Sequence, residues 1–119
     1  MTYTNGSMVK KGLEASLNIL EKWGVNEKKK ALILDLRCSQ FHSLEQLSTA
    51  QLHRISFILN IHAALRKLFT NDKNVYEFMT MENNSLFFAG KTPLSYIDTG
   101  DLLALEEVTK HISSISLGN

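Results

Sequence analysis

One cysteine, Cys38, and one proline, Pro93, stand in a chain of 119 residues. A lone cysteine closes no internal disulfide, so stability must come from packing, and a reducing, cytoplasmic compartment is expected. No segment approaches the ~18 consecutive apolar residues of a membrane span. The opening MTYTNGSMVKKG lacks the apolar stretch of a signal peptide. A formal net charge of +1 provides no overall field to gather nucleic acid or an anionic membrane surface. With 44% hydrophobic and 21% charged residues, the chain has instead the means to bury one core.

Patterns that carry catalysis are also scarce. Neither GVNEKKK nor GKTP has the glycine spacing of a phosphate-cradling loop, although Gly90-Lys91-Thr92 matches the end of one. His42, His53, His62 and His111 are scattered. Cys38 and His42 share a possible helix face, but they are two ligands where structural zinc takes four. Glu106 and Glu107 are adjacent, so on a helix they point in different directions and do not pair as acid and base. A protein without catalytic residues, metal or cofactor is the expectation.

What the chain does hold is helical punctuation. Val9, Leu13, Leu17, Leu20 and Trp23 recur at three- and four-residue steps, one stripe of an amphipathic helix that Gly24 stops. Asn26 and Glu27 open a second helix. Its continuation ALILDL (31–36) is apolar enough for a buried strand, but the cap and Lys28–Lys30 favour helix. SLEQ and STAQ, at 43–46 and 48–51, both match the capping box. Only the second leads into a long apolar pattern, Leu52, Ile55, Ile58, Leu59, Leu65, Leu68 and Phe69. About 20 residues of helix span about 30 Å, enough to cross a small domain. Asn71 or Asp72 caps a short helix through Val75, Tyr76, Phe78 and Met79. Thr92-Pro93 starts another, with proline where its missing N–H costs nothing. After Thr99-Gly100 a last helix carries Leu102, Leu105, Val108, Ile112 and Ile115. The expected fold is all-α, a compact helical domain of about six or seven helices around one long central helix. Residues 8–46 form an N-terminal region and residues 47–119 the remainder, over one continuous core. Apolar surface on the long helix beyond what a small domain covers points to a homodimer.

Four segments in order, SLNILEKWGVNEKKKALILDL, LSTAQLHRISFILNIHAALRKLF, DKNVYEFM and LFFAGKTPLSYIDTGDLLALEEVTKHI, resemble the Xre/MbcA/ParS family of antitoxins. The matching features are the Trp23-Gly24 helix end, LxRISFILNIHAALRKLF (52–69) and FxGKTPLxYxxTGD, and together they cover about residues 13–115. The resemblance implies a helix-turn-helix-like N-terminal region and a toxin-binding region. It implies a cognate RES-domain toxin as partner, an enzyme that consumes NAD and whose active-site entrance the antitoxin covers. It also implies a dimer and repression of its own operator DNA.

Under that implication the toxin-binding candidates are Leu86, Phe87, Phe88, Gly90, Lys91, Thr92 and Pro93, with His111 and Ser114 on the last helix. Aromatic anchors dominate interface hot spots. The same three residues Leu86–Phe88 can instead fold beneath the loop as core, and the sequence leaves both readings open. For DNA, residues 26–35 would be the supporting helix and roughly 38–46 the recognition helix. Lys28, Lys29 and Lys30 would meet phosphates, which position without reading sequence. Arg37 would sit at the turn, and Gln40 and His42 would face base edges. This chain departs from the family by placing Asp35 at the turn, where glycine is usual. An acid there is expected to remove backbone freedom and local positive potential. A solvated lysine run on a relic of the motif stands beside DNA binding as a reading. A regulator without a toxin partner is the alternative function.

Overall fold

The computed structural model describes residues 6–37, 40 and 46–118. Among the described residues six α-helices follow one another: α1 (Gly6–Lys22), α2 (Glu27–Leu34), α3 (Thr49–Leu68), α4 (Asp72–Glu77), α5 (Pro93–Ile97) and α6 (Leu102–Ser116). A 3-10 turn, Phe78–Thr80, continues α4. Among the described residues there is no strand, and the protein is all-α. ALILDL accordingly splits into the end of α2 and the turn after it.

Local chemistry sets the helix ends. Asn26 accepts a hydrogen bond from the Lys29 N–H at 2.9 Å. Ser48 and Gln51 close a complete capping box on α3, each side chain taking the other's backbone N–H. Asn71 caps α4 and Thr92 caps α5, with Pro93 at its first turn. For α6 the cap is Asp101, one residue beyond the expected Thr99-Gly100, and Asp101 accepts from the Leu103 N–H at 3.3 Å.

Asp35 corrects one expectation. It takes the left-handed conformation itself, at φ 55° and ψ 47°, so the acid does not deny the turn its backbone freedom. The Leu36 N–H then reaches the Ala31 carbonyl at 2.9 Å, closing the helix end. Aspartate tolerates this region better than most side chains, at a cost of about 1 kcal/mol relative to glycine. The second helix of a helix-turn-helix, over 38–46, falls outside the described residues except for Gln40 and Gln46.

Helix α3 packs on α1, α2, α4 and α6, and α6 also packs on α5. Its Ile55, Ile58, Ile61, Ala64 and Leu65 are buried within the same chain, while Leu52, Phe57, Leu59 and Leu68 lie half-buried against the core. Most of the apolar surface of α3 is therefore covered within the same chain, and Leu52, Phe57, Leu59 and Leu68 keep part of theirs exposed. One cluster joins Trp23, Ile33 and Leu34 from the N-terminal region to Met79, Phe88, Ile97, Leu105 and Ile112. Burial of each such side chain stabilises by about 1.5–3 kcal/mol.

Polar pins fix how the helices meet. Arg54 Nη1 donates to the Ile33 carbonyl at 3.0 Å and to the Gly100 carbonyl at 2.9 Å, tying α2 and the α5–α6 turn to α3. Gly100, at φ +81°, lies so close to Leu32 that a Cβ would stand 2.7 Å from its Cγ and 2.9 Å from its carbonyl oxygen.

Candidate functional site

Residues 83–91 form a loop fastened at its base. The Asn83 N–H donates to the Lys91 carbonyl at 3.1 Å, and the Gly90 N–H returns to the Asn83 carbonyl at 2.7 Å. Inside this closure the Ala89 N–H donates to the Ser85 carbonyl at 2.8 Å, and Asn83 Oδ1 accepts from the Ser85 N–H at 3.0 Å. The chain reverses through two consecutive left-handed residues, Ala89 (φ 53°) and Gly90 (φ 85°). Glycine enters that region freely, whereas alanine pays about 1–2 kcal/mol. The Tyr96 hydroxyl on α5 holds the strained turn by donating to the Phe88 carbonyl at 2.7 Å.

This geometry separates three residues that are adjacent in sequence. Phe88 is turned inward and wholly buried, Phe87 is 36% exposed, and Leu86 projects with its full surface, 102%. Phe88 is thus core, not an anchor, and corrects that part of the sequence reading. Its ring stands edge-on to Phe87 at 4.9 Å and to Tyr96 at 5.6 Å. Phe87 lies flat on the imidazole of His111, with centroids 4.2 Å apart and planes 7° apart. His111 Nε2 is enclosed and makes no hydrogen bond among the described residues.

The remaining candidates divide similarly. Lys91 is exposed, Gly90 sits within the loop closure, and Thr92 caps α5. Pro93 is buried, and so is structural. Ser114 Oγ donates to the His111 carbonyl at 2.8 Å, which commits its hydroxyl proton to its own helix. Tyr96 and Arg54 were not singled out from sequence, although both lie within the quoted motifs. Their roles depend on carbonyls 8 and 46 residues away.

Three of the six DNA candidates, Lys29, Lys30 and Gln40, are engaged within the protein. Lys30 is buried and its ammonium pairs with Glu21, so it is not free for phosphate. The hydrogen bond and charge of Lys30 hold the Glu21 carboxyl below its ordinary value. Lys29 Nζ reaches the Asp98 carbonyl at 3.4 Å and its carboxylate at 3.9 Å. Gln40 is buried face to face with Gln51, the two amides exchanging hydrogen bonds of 2.8 and 3.2 Å. It therefore does not face a base edge. Lys28 and Arg37 are exposed, and His42 lies outside the described residues. Asp35, Arg37, Gln40, Gln46, Ser48 and Gln51 help line an open polar cleft beside this amide pair.

No group of three His, Cys, Asp or Glu residues able to hold a metal ion occurs among the described residues. None of the described helices is long and apolar enough to cross a membrane. His62 is half-buried between α3 and α4, stacked on Tyr76 at 5.4 Å, with Nδ1 enclosed and unpartnered. Desolvation, reinforced by the nearby Arg66 charge and opposed by Asp72, lowers its pKa from the ordinary 6.5. Comparison of the chain with family models, curated proteins and solved structures gave no match.

Proposed function

We propose that this protein is an antitoxin that binds a RES-type, NAD-consuming toxin and covers its active-site entrance. The ordered resemblance to the Xre/MbcA/ParS family supplies the partner. The observation that carries the reading is the fastened loop 83–91, whose last residues begin FxGKTPLxYxxTGD. It sets Leu86 fully in solvent and Phe87 beside it, on a base of Phe88, Tyr96 and His111. A loop whose backbone is already closed by hydrogen bonds suits an inhibitor, because pre-organisation preserves binding energy otherwise lost to immobilisation.

Engagement of Lys29, Lys30 and Gln40 within the protein weighs against DNA reading as the main activity. Co-expression with a RES-type toxin tests the proposal. Growth and intracellular NAD are retained if it holds. Continued NAD loss and growth arrest at matched protein levels overturn it.

A further inference from the structure

Helix α4 is lightly held. Its 6 residues are too few for a helix to persist alone, and Val75 is the buried one among them. It packs mainly on α3 and on the 3-10 turn that follows it. The chain on either side is anchored independently: the rings of Phe69 and Phe78 meet at 5.9 Å, and Met79 beyond them is wholly buried. Residues 70–77 therefore form a segment that can lift while its two ends stay in place. Segments with few buried contacts open at a lower cost than the core.

The contact that holds this segment contains a titratable ring. His62 on α3 stacks on Tyr76 of α4, with ring centres 5.4 Å apart and planes 26° apart. Its Nδ1 is enclosed and has no hydrogen-bond partner among the described residues. Around the pair stand Arg66 from α3, Asp72 from α4 and Lys22 from the end of α1, whose ammonium lies 5.7 Å from the centre of the Tyr76 ring. Asp72, the carboxylate of this group, is already paired with Arg66. A proton added to the imidazole thus finds no free acceptor and joins two cations. The tyrosine face attracts a charged imidazole, but Lys22 already lies over that ring and burial opposes the charge.

From this arrangement we infer that the His62–Tyr76 contact is a proton-sensitive latch, which holds α4 on α3 while the imidazole is neutral and lets α4 open when it is protonated, with the rest of the core still closed. Burial, seconded by Arg66, lowers the His62 pKa from 6.5, so the closed segment prefers the neutral ring. Opening accordingly increases as pH falls below 6.5 and levels off below the lower folded value. The latch is a property of the fold and holds whatever the protein binds.

Hydrogen–deuterium exchange of the full chain at about pH 7.5 and 5.5, corrected for intrinsic exchange rates, tests the latch. Amides of 71–78 exchange about tenfold or more faster than those of the α3 and α6 core at both pH values, which marks a separate opening. Acidification raises that opening about threefold or more, while loop 83–91 stays within about twofold. His62→Phe keeps a ring on Tyr76 and loses the acid response. Two substitutions at exposed side chains separate titration from packing. Arg66→Gln moves the midpoint of the response to higher pH and Asp72→Asn to lower pH, because each removes one charge and frees its former partner to act on the ring. Exchange of α4 at the rate of the core, equal α4 opening at the two pH values, an acid response that survives in His62→Phe, or midpoints that move together would each overturn the latch.

Discussion

Arg54 and Gly100, 46 positions apart, are joined by a hydrogen bond of 2.9 Å from guanidinium to carbonyl. The same nitrogen also holds the Ile33 carbonyl at the end of α2. One side chain on α3 therefore satisfies two backbone acceptors from opposite ends of the sequence. A charged donor makes such bonds stronger than neutral ones. Arg54→Met is expected to lower unfolding free energy by about 2–3 kcal/mol, and Arg54→Lys by less, since lysine retains the charge without the guanidinium's planar geometry. Urea denaturation monitored by circular dichroism checks both, and equal losses would refute the assigned role.

Gly100 and Gly24 provide a matched pair. Both have positive φ, +81° and +79°, but a Cβ on Gly24 meets nothing within 4 Å while one on Gly100 strikes Leu32. Gly24→Ala should cost about 1 kcal/mol, from backbone conformation alone. Gly100→Ala should cost about 1–3 kcal/mol more, because the clash involves a backbone oxygen that a rotamer change cannot move. Thermal melts of the two variants should separate clearly in that order.

Ala89 carries the opposite opportunity. At φ 53° it occupies a conformation that glycine enters without a side-chain penalty. Ala89→Gly is expected to stabilise by up to about 1 kcal/mol, the relieved strain exceeding the added chain entropy. A lower melting temperature for the variant would show that the loop does not hold this turn in solution.

Lys30 should behave as a core residue, unlike Lys28. Lys30→Ala removes a buried aliphatic stem and is expected to destabilise by about 1 kcal/mol, with Lys30→Met largely restoring stability and Lys28→Ala nearly silent. Chemical denaturation of the three variants tests this ranking directly.

The depressed pKa of His62 gives stability a defined pH dependence. Folding favours its neutral form, so the unfolded chain binds more protons as pH falls below its ordinary value of 6.5. The stability it contributes is complete above that value and is lost as pH drops toward the lower folded value. The groups around it are Arg66 on α3, Asp72 and Tyr76 on α4, and Lys22, whose ammonium lies 5.7 Å from the centre of the Tyr76 ring. The melting temperature should decline between about pH 7 and 5, and His62→Phe should flatten that decline. The Glu21 carboxyl, also depressed, adds its own loss only below its ordinary value of 4.5. Parallel pH profiles for wild type and His62→Phe would refute the assignment.

Much of the helical order was legible because helix initiation is local. Asn26, Ser48, Asn71 and Thr92 act on backbone groups three residues away, and the three- and four-residue apolar steps mark the buried stripes without reference to the rest of the chain. The sequence alone therefore determined an all-α protein and most of its helix starts. It did not separate Leu86, Phe87 and Phe88, which share one composition and differ only in which way a left-handed turn and a distant tyrosine direct them. Nor did it distinguish Lys28 from Lys30, or give Gln40 its partner Gln51. Those outcomes belong to the tertiary structure, because burial and hydrogen-bond pairing depend on groups that only packing brings within a few ångströms of one another.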